Sequence, residues 1–143
     1  MMTRINVVDV TELTDQHLMA EYRELPMVFT SAKRSNPSKF VPLVDYTLNK
    51  GHVTFFFNKK QYLLNRWMDL VMELNKRNYN IDPAQRRVLW NELDKFPQIN
   101  WTPDKKARQV NIQRLEEKIL MKPTWYRYCG KSIDYGNTYK LTV

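Results

Sequence analysis

Four side chains near the amino terminus are spaced so that they could act together. If the segment from Asp15 is helical, His17 and Glu24 lie seven residues apart and point the same way, with Glu21 beside both and Arg23 next to that edge. An imidazole and two carboxylates on one face can move protons or stabilise a developing positive charge. The same pattern also describes a solvated helix face with no chemistry. Farther along, Arg114, Lys118 and Lys122 recur at four-residue steps and form a basic ridge, which Glu117 softens by an ion pair. The ridge runs into PTWYRYCGK (residues 123–131), where Trp125, Tyr126 and Tyr128 alternate with Arg127 and precede Lys131. Rings interleaved with cations suit stacking on bases while pairing with phosphates. The alternative is that the rings, Trp125 above all, only close the core.

Scarcity removes most other chemistries. Cys129 is the only cysteine, so no intrachain disulfide forms and a reducing, cytoplasmic setting is expected. The two histidines, His17 and His52, have no Cys or second His at ligand spacing, so no metal site is expected. Three glycines (Gly51, Gly130, Gly136) leave no phosphate-cradling loop and no dinucleotide fingerprint, so no cofactor is expected. The start, MMTRINVVDV, lacks the apolar run of a signal peptide, and no 18-residue apolar stretch occurs; no membrane contact is expected. A net charge of +8 favours a polyanionic partner, because clustered cations release counterions from a phosphate backbone.

The elements that must position these groups read as one all-α domain spanning residues 1–143: three main helices, irregular loops and an extended, non-helical aromatic tail. The first dozen residues read as extended, with Ile5, Val7, Val8 and Val10, and Thr14 caps a helix from Asp15 whose face is Leu18, Tyr22, Leu25 and Phe29. Pro26 kinks or shortens that helix. A second helix starts after Asn58 and joins two rows, Leu63–Trp67–Leu70–Leu74 and Leu64–Met68–Val71, into a wide buried stripe. The third has Thr102 as cap, Pro103 at its first position and Asp104 in its first turn, with Ile112, Leu115 and Ile119 inward and a stop before Pro123. Pro37, Pro42 and Gly51 mark 33–52 as loop, residues 83–96 hold a short helix, and Val53–Phe57 reads either as a strand or as the buried lead-in to the second helix.

Five blocks, MTRIN (2–6), DQHLMAEYRELP (15–26), GHVTFFF (51–57), RLEEKI (114–119) and PTWYRYCGK (123–131), occur in an order that resembles the T-even phage type of pyrimidine-dimer DNA glycosylase, also called endonuclease V and unrelated to the deoxyinosine nuclease of that name. Residues of about 30–50 and 82–101 match it poorly. The resemblance implies a single all-α domain without cofactor or required metal, a monomer, acting on double-stranded DNA that carries UV-induced cyclobutane pyrimidine dimers. It implies two linked steps, base release and strand cleavage at the resulting abasic site. It makes the α-amine of Thr3 the nucleophile and Glu24 the acidic catalytic residue, with Arg4 and Arg23 next to them. Gln16, His17 and Tyr22 match site-lining residues. Arg114 and Lys118 match residues that support the site and grip DNA, and Trp125, Tyr126, Arg127 and Tyr128, with Lys131 following, match a tail associated with dimer recognition. An α-amine suits the part: its pKa of about 7.7–8.0 leaves roughly a tenth neutral at pH 7, against under about a thousandth for lysine. Nearby guanidinium groups lower it further.

The chain departs from that pattern at three places. Met1 and Met2 precede Thr3, and translation from Met2 with removal of that Met is expected to expose the Thr3 amine. Met27 stands where the phage type has a DNA-contacting arginine, which removes about one unit of salt-dependence slope and puts strict dimer selectivity in question. Cys129 replaces a tyrosine of the tail, and the C-terminus runs slightly longer, to Val143. Two other readings share the basic and aromatic features: an abasic-site lyase with an altered lesion range, and a non-catalytic DNA-binding module.

Overall fold

The computed structural model describes residues 4–143. Five helices follow one another: α1 (Asp15–Glu24), α2 (Pro26–Lys33), α3 (His52–Phe55), α4 (Lys60–Lys76) and α5 (Lys105–Met121). A two-stranded antiparallel hairpin, β1 (Arg127–Tyr128) with β2 (Lys131–Ser132), ends the ordered elements. The all-α expectation holds, and the tail is non-helical as expected, although it folds back as this hairpin.

α1 begins where the cap residue stands: the Thr14 hydroxyl accepts from the His17 backbone N–H. Its continuation is broken at Leu25, because Pro26 offers no N–H and opens α2 at the first position instead. The expected apolar face is intact across the break, with Leu18, Tyr22, Leu25 and Phe29 all buried. α4 runs against it. Leu63, Trp67, Leu70 and Leu74 are buried, but Met68 is 60% exposed, so the second row does not join a wide stripe. The buried face extends instead on the opposite flank of the first row, where Arg66 and Glu73 are both buried.

α5 corrects the expected cap. Asp104, not Thr102, caps it, its carboxylate accepting from the Ala107 N–H at 2.8 Å. Ile112, Leu115 and Ile119 face inward, and the helix stops at Met121, ahead of Pro123. The segment 83–96 forms two 3-10 turns, Pro83–Gln85 and Trp90–Leu93, in place of one helix. The lead-in reading of 53–57 is the correct one: Phe55, Phe56 and Phe57 are buried at the junction of α3 and α4. Gly51 opens α3 with φ 94°, a left-handed conformation, and a Cβ there would meet the Leu43 side chain at 2.9 Å. This turn matters because it aims His52 inward.

Candidate active site

Residues 4–8 belong to no helix or strand, so their backbone groups need side-chain partners. The Arg4 N–H donates to Glu24 Oε1 at 3.0 Å. The Ile5 N–H donates to His52 Nε2 at 2.8 Å, and the Tyr46 hydroxyl donates to the Ile5 carbonyl at 2.8 Å. Asn111 Oδ1 accepts from the N–H groups of both Val7 (2.7 Å) and Val8 (3.0 Å), and its amide donates to Asn6 Oδ1. The Asn6 amide in turn donates to Glu21 Oε1. A set of buried polar side chains therefore replaces a neighbouring strand and fixes the backbone of residues 4–8.

His52 is locked in one state. Its Nδ1 lies 2.6 Å from the Thr47 carbonyl, which can only accept, so the proton is on Nδ1 and Nε2 is the acceptor for Ile5. Burial lowers its pKa to about 4, in keeping with a ring that is neutral at physiological pH.

The two carboxylates of α1 have different fates. Glu21 is buried and forms a two-point ion pair with Arg66 (2.6 and 2.9 Å), while Arg66 also donates to the Val8 carbonyl. That pair is structural. Glu24, 9% exposed, accepts only the Arg4 N–H among the described hydrogen bonds. Burial pushes its carboxyl above the usual range, and the Arg4 amide and guanidinium pull it back. It is thus an ionisable group held beside the entering chain.

A cleft of about 190 Å³ opens over it, lined by Arg4, His17, Glu24, Arg114, Lys118 and Tyr126 among others. His17 stacks on Tyr126 with ring centroids 4.7 Å apart and planes at 17°. Its Nδ1 meets the Thr14 hydroxyl at 2.8 Å. Burial, then the Lys118 ammonium, lower the His17 pKa to about 4, so it is neutral here too. Burial and the Arg114 guanidinium lower the pKa of Arg4, whose Nη1 is buried without a protein hydrogen-bond partner. Three cations, one of them with an orphaned guanidinium N–H, and the carboxylates of Glu21 and Glu24 make a cleft suited to an anionic group such as a phosphate.

The structure brings Arg4, His17, Glu24, Arg114, Lys118 and Tyr126 together. It does not bring Tyr22, Arg23 or Gln16 to the cleft wall. Tyr22 is 2% exposed and stacks on Trp67, because its position on α1 faces α4. Arg23, one step around the helix, is exposed and borders a separate hollow with Asn80, Asp82 and Arg86. Gln16 reaches the tail, donating to the Trp125 carbonyl and accepting from the Arg127 N–H. Trp125 is 53% exposed, edge-on to Tyr126, with the Lys122 ammonium 5.1 Å from its ring. Arg127 and Lys131 are exposed, and Tyr128 lies under the Arg77 guanidinium. Thr3 precedes the described residues.

Asn111 and His52 escaped the reading of the sequence. A signal for Asn111 existed: Ala107, Asn111, Leu115 and Ile119 form one row at four-residue steps, and a lone amide in a buried row must be satisfied. For His52 there was none, since Ile5 is 47 residues away.

Among the described residues no group of three or more His, Cys, Asp or Glu side chains could hold a metal ion, and no helix is long and apolar enough to cross a membrane. The family model described as pyrimidine dimer DNA glycosylase matches residues 2–87. The matched range includes Thr3, Arg4, His17 and Glu24, while Arg114, Lys118 and the aromatic tail lie beyond it.

Proposed function

This chain belongs to the pyrimidine dimer DNA glycosylase family, and from that premise we propose that it is a bifunctional enzyme, releasing the damaged base and then cutting the strand as an abasic-site lyase. The α-amine of Thr3, exposed once the preceding residues are removed, is the nucleophile. The observation that carries this reading is the hydrogen bond from the Arg4 N–H to Glu24 at the cleft. That bond sets the residue following Thr3 in the chain against the Glu24 carboxylate, which supports the reading.

The amine attacks the sugar C1′ of the 5′ nucleotide of the dimer, and the C1′–N bond to the base breaks with its electron pair leaving on the base. Positive charge develops on the sugar, and the Glu24 carboxylate stabilises it. Ring opening gives an imine at C1′. The adjacent C2′ proton is then acidic, and its removal with Glu24 as base expels the 3′ phosphate oxygen by β-elimination. Arg4, Arg114 and Lys118 pair with the flanking phosphates and with the charge released there. The neutral His17 ring serves as a wall and hydrogen-bonding group, since its pKa of about 4 leaves no cation to repel the nascent charge. Reaching C1′ requires the duplex to open locally, the general cost of acting on a stacked nucleotide.

Borohydride trapping on a duplex with one thymine dimer tests this directly, with chelator present and with the chain starting either at Thr3 or at Met2. A covalent adduct from the Thr3 form alone is the expected result. An adduct at an abasic site but none at the dimer would leave an abasic-site lyase. No adduct on either, with DNA binding intact, would overturn the catalytic reading.

A further inference from the structure

Asp15 lies outside the cleft and has no part in the chemistry above, yet it is buried and accepts three hydrogen bonds. Its Oδ1 accepts from Arg77 Nη1 and from the Cys129 backbone N–H, both at 2.9 Å. Its Oδ2 accepts from the Gly130 N–H at 2.8 Å. Arg77 is itself held from several sides: it donates to Glu73 and to the carbonyls of Leu13, Val10 and Thr11, and its guanidinium covers the Tyr128 ring at 4.5 Å.

The turn that Asp15 holds is special. Cys129 (φ 50°) and Gly130 (φ 79°) both have positive φ, the signature of a type I′ connection between β1 and β2. The hairpin pairs Arg127 with Ser132 and Tyr128 with Lys131, so the N–H groups of the two turn residues are not part of its ladder. A buried carboxylate takes both. The next residue, Gln16, clasps the backbone on either side of Tyr126, and the next, His17, stacks on the Tyr126 ring. Three consecutive residues of the first turn of α1 thus grip three consecutive parts of the tail. The same grip sets the wall of the cleft.

We propose that Asp15, backed by Arg77, is a positioning residue for DNA recognition. It fixes the 129–130 turn, and the fixed turn places Tyr126 over the cleft and Trp125 and Arg127 at its rim. The inference rests on the proposed function only in taking the tail as a DNA-facing surface. Loosening the turn leaves the Arg4–Glu24 arrangement in place, so it weakens engagement of DNA and leaves the chemical step alone.

Two variants separate this from a general loss of stability. Asp15→Asn removes the charge and one of the paired acceptors. Gly130→Val strains the same turn from the tail side, because a β-branched residue rarely adopts positive φ, and it leaves the Asp15–Arg77 pair intact. Amide hydrogen exchange of Cys129 and Gly130 is expected to accelerate in both variants, while exchange within α4 is unchanged. The Kd for dimer-containing duplex is expected to rise roughly tenfold, the scale of one charge-assisted contact set, with KM rising in parallel and kcat within about twofold of the parent. Faster turn exchange with an unchanged Kd overturns the proposal, as does a fall in kcat at unchanged KM. If Asp15→Asn does not fold, Gly130→Val decides by the same criteria. If the parent chain forms no imine at all, the catalytic reading fails while exchange and Kd still decide the role of Asp15.

Discussion

At the scale of single residues, two carboxylates three positions apart show how surroundings assign roles. Glu21 is neutralised by Arg66 and fully engaged, whereas Glu24 holds one backbone N–H and faces the cleft. Glu24→Gln keeps an acceptor for the Arg4 N–H and removes the charge. It is expected to lower kcat by roughly 10²–10⁴, the usual worth of a positioned acid or base, while Kd for DNA is unchanged or tighter. Single-turnover cleavage beside equilibrium binding checks this, and a variant as fast as the parent would remove Glu24 from the mechanism. The sequence exposed Glu24 only through resemblance; its helical spacing from His17 fits a solvated face equally well. Its burial excludes the solvated face, and the cleft it lines is closed by α5, which begins 81 residues beyond Glu24. Tyr22 and Arg23 lie off the cleft wall for a helical reason. They flank a site residue in sequence, but successive positions on a helix are about 100° apart, so neighbours along the chain face different partners.

At the scale of elements, the helices declared themselves wherever the signal was local. Thr14 as cap, Pro26 as break, the Leu63–Leu74 row and the stop before Pro123 all depend on residues within a turn or two. The 3-10 turns of 83–96 and the irregular 33–50 loop carry no periodicity to read, because tertiary contacts shape them. The least legible element is the one nearest the chemistry: residues 4–8 join no sheet and are held by side chains far along the sequence, which no local pattern announces. Their anchor is Asn111 on α5. Asn111→Leu preserves size and removes the acceptor shared by the Val7 and Val8 N–H groups, leaving both unsatisfied in the interior. Each such group costs about 1–3 kcal/mol, so a total loss of roughly 2–5 kcal/mol is expected in chemical denaturation. Activity is expected to fall beyond what the folded fraction explains, since the entry of the chain toward Glu24 is loosened. Retained activity per folded molecule would show that the cleft does not need this anchor. The buried Glu21–Arg66 pair behaves differently. Arg66→Met strands a buried carboxylate and is expected to cost about 3–5 kcal/mol, whereas changing both partners together to apolar residues is expected to recover much of that loss.

At the scale of the whole molecule, the two histidines couple stability to the conditions the proposed chemistry needs. Both are neutral, both have the pKa lowered from 6.5 to about 4, and burial is the largest cause in each. The unfolded chain therefore binds more protons than the native protein between those values, and stability falls as pH drops from about 6.5 to about 4. For His52, 3% exposed, the difference amounts to roughly 3 kcal/mol once pH is below 4, and most of it is lost by pH 4.5. Glu24 works in the opposite sense, because a raised carboxyl pKa favours the native state as protons are added, so the observed slope is smaller than two histidines alone would give. An α-amine with a pKa of about 7.7–8.0 is an effective nucleophile only toward neutral pH and above, where both rings are uncharged and the N-terminal anchor is whole. Acid is thus expected to remove the nucleophile first, below about pH 8, and the anchor of residues 4–8 only near pH 4, where protonated Nε2 can no longer accept from Ile5. Denaturation at pH 7.5 and pH 4.5, for the parent and for His52→Gln, separates the two effects. The variant is expected to be less stable at pH 7.5 and to lose less on going to pH 4.5, by roughly 2–3 kcal/mol. An unchanged pH dependence would mean that His52 is not the group linking acid to the loss of the fold, and would move that role to His17 at the wall of the cleft.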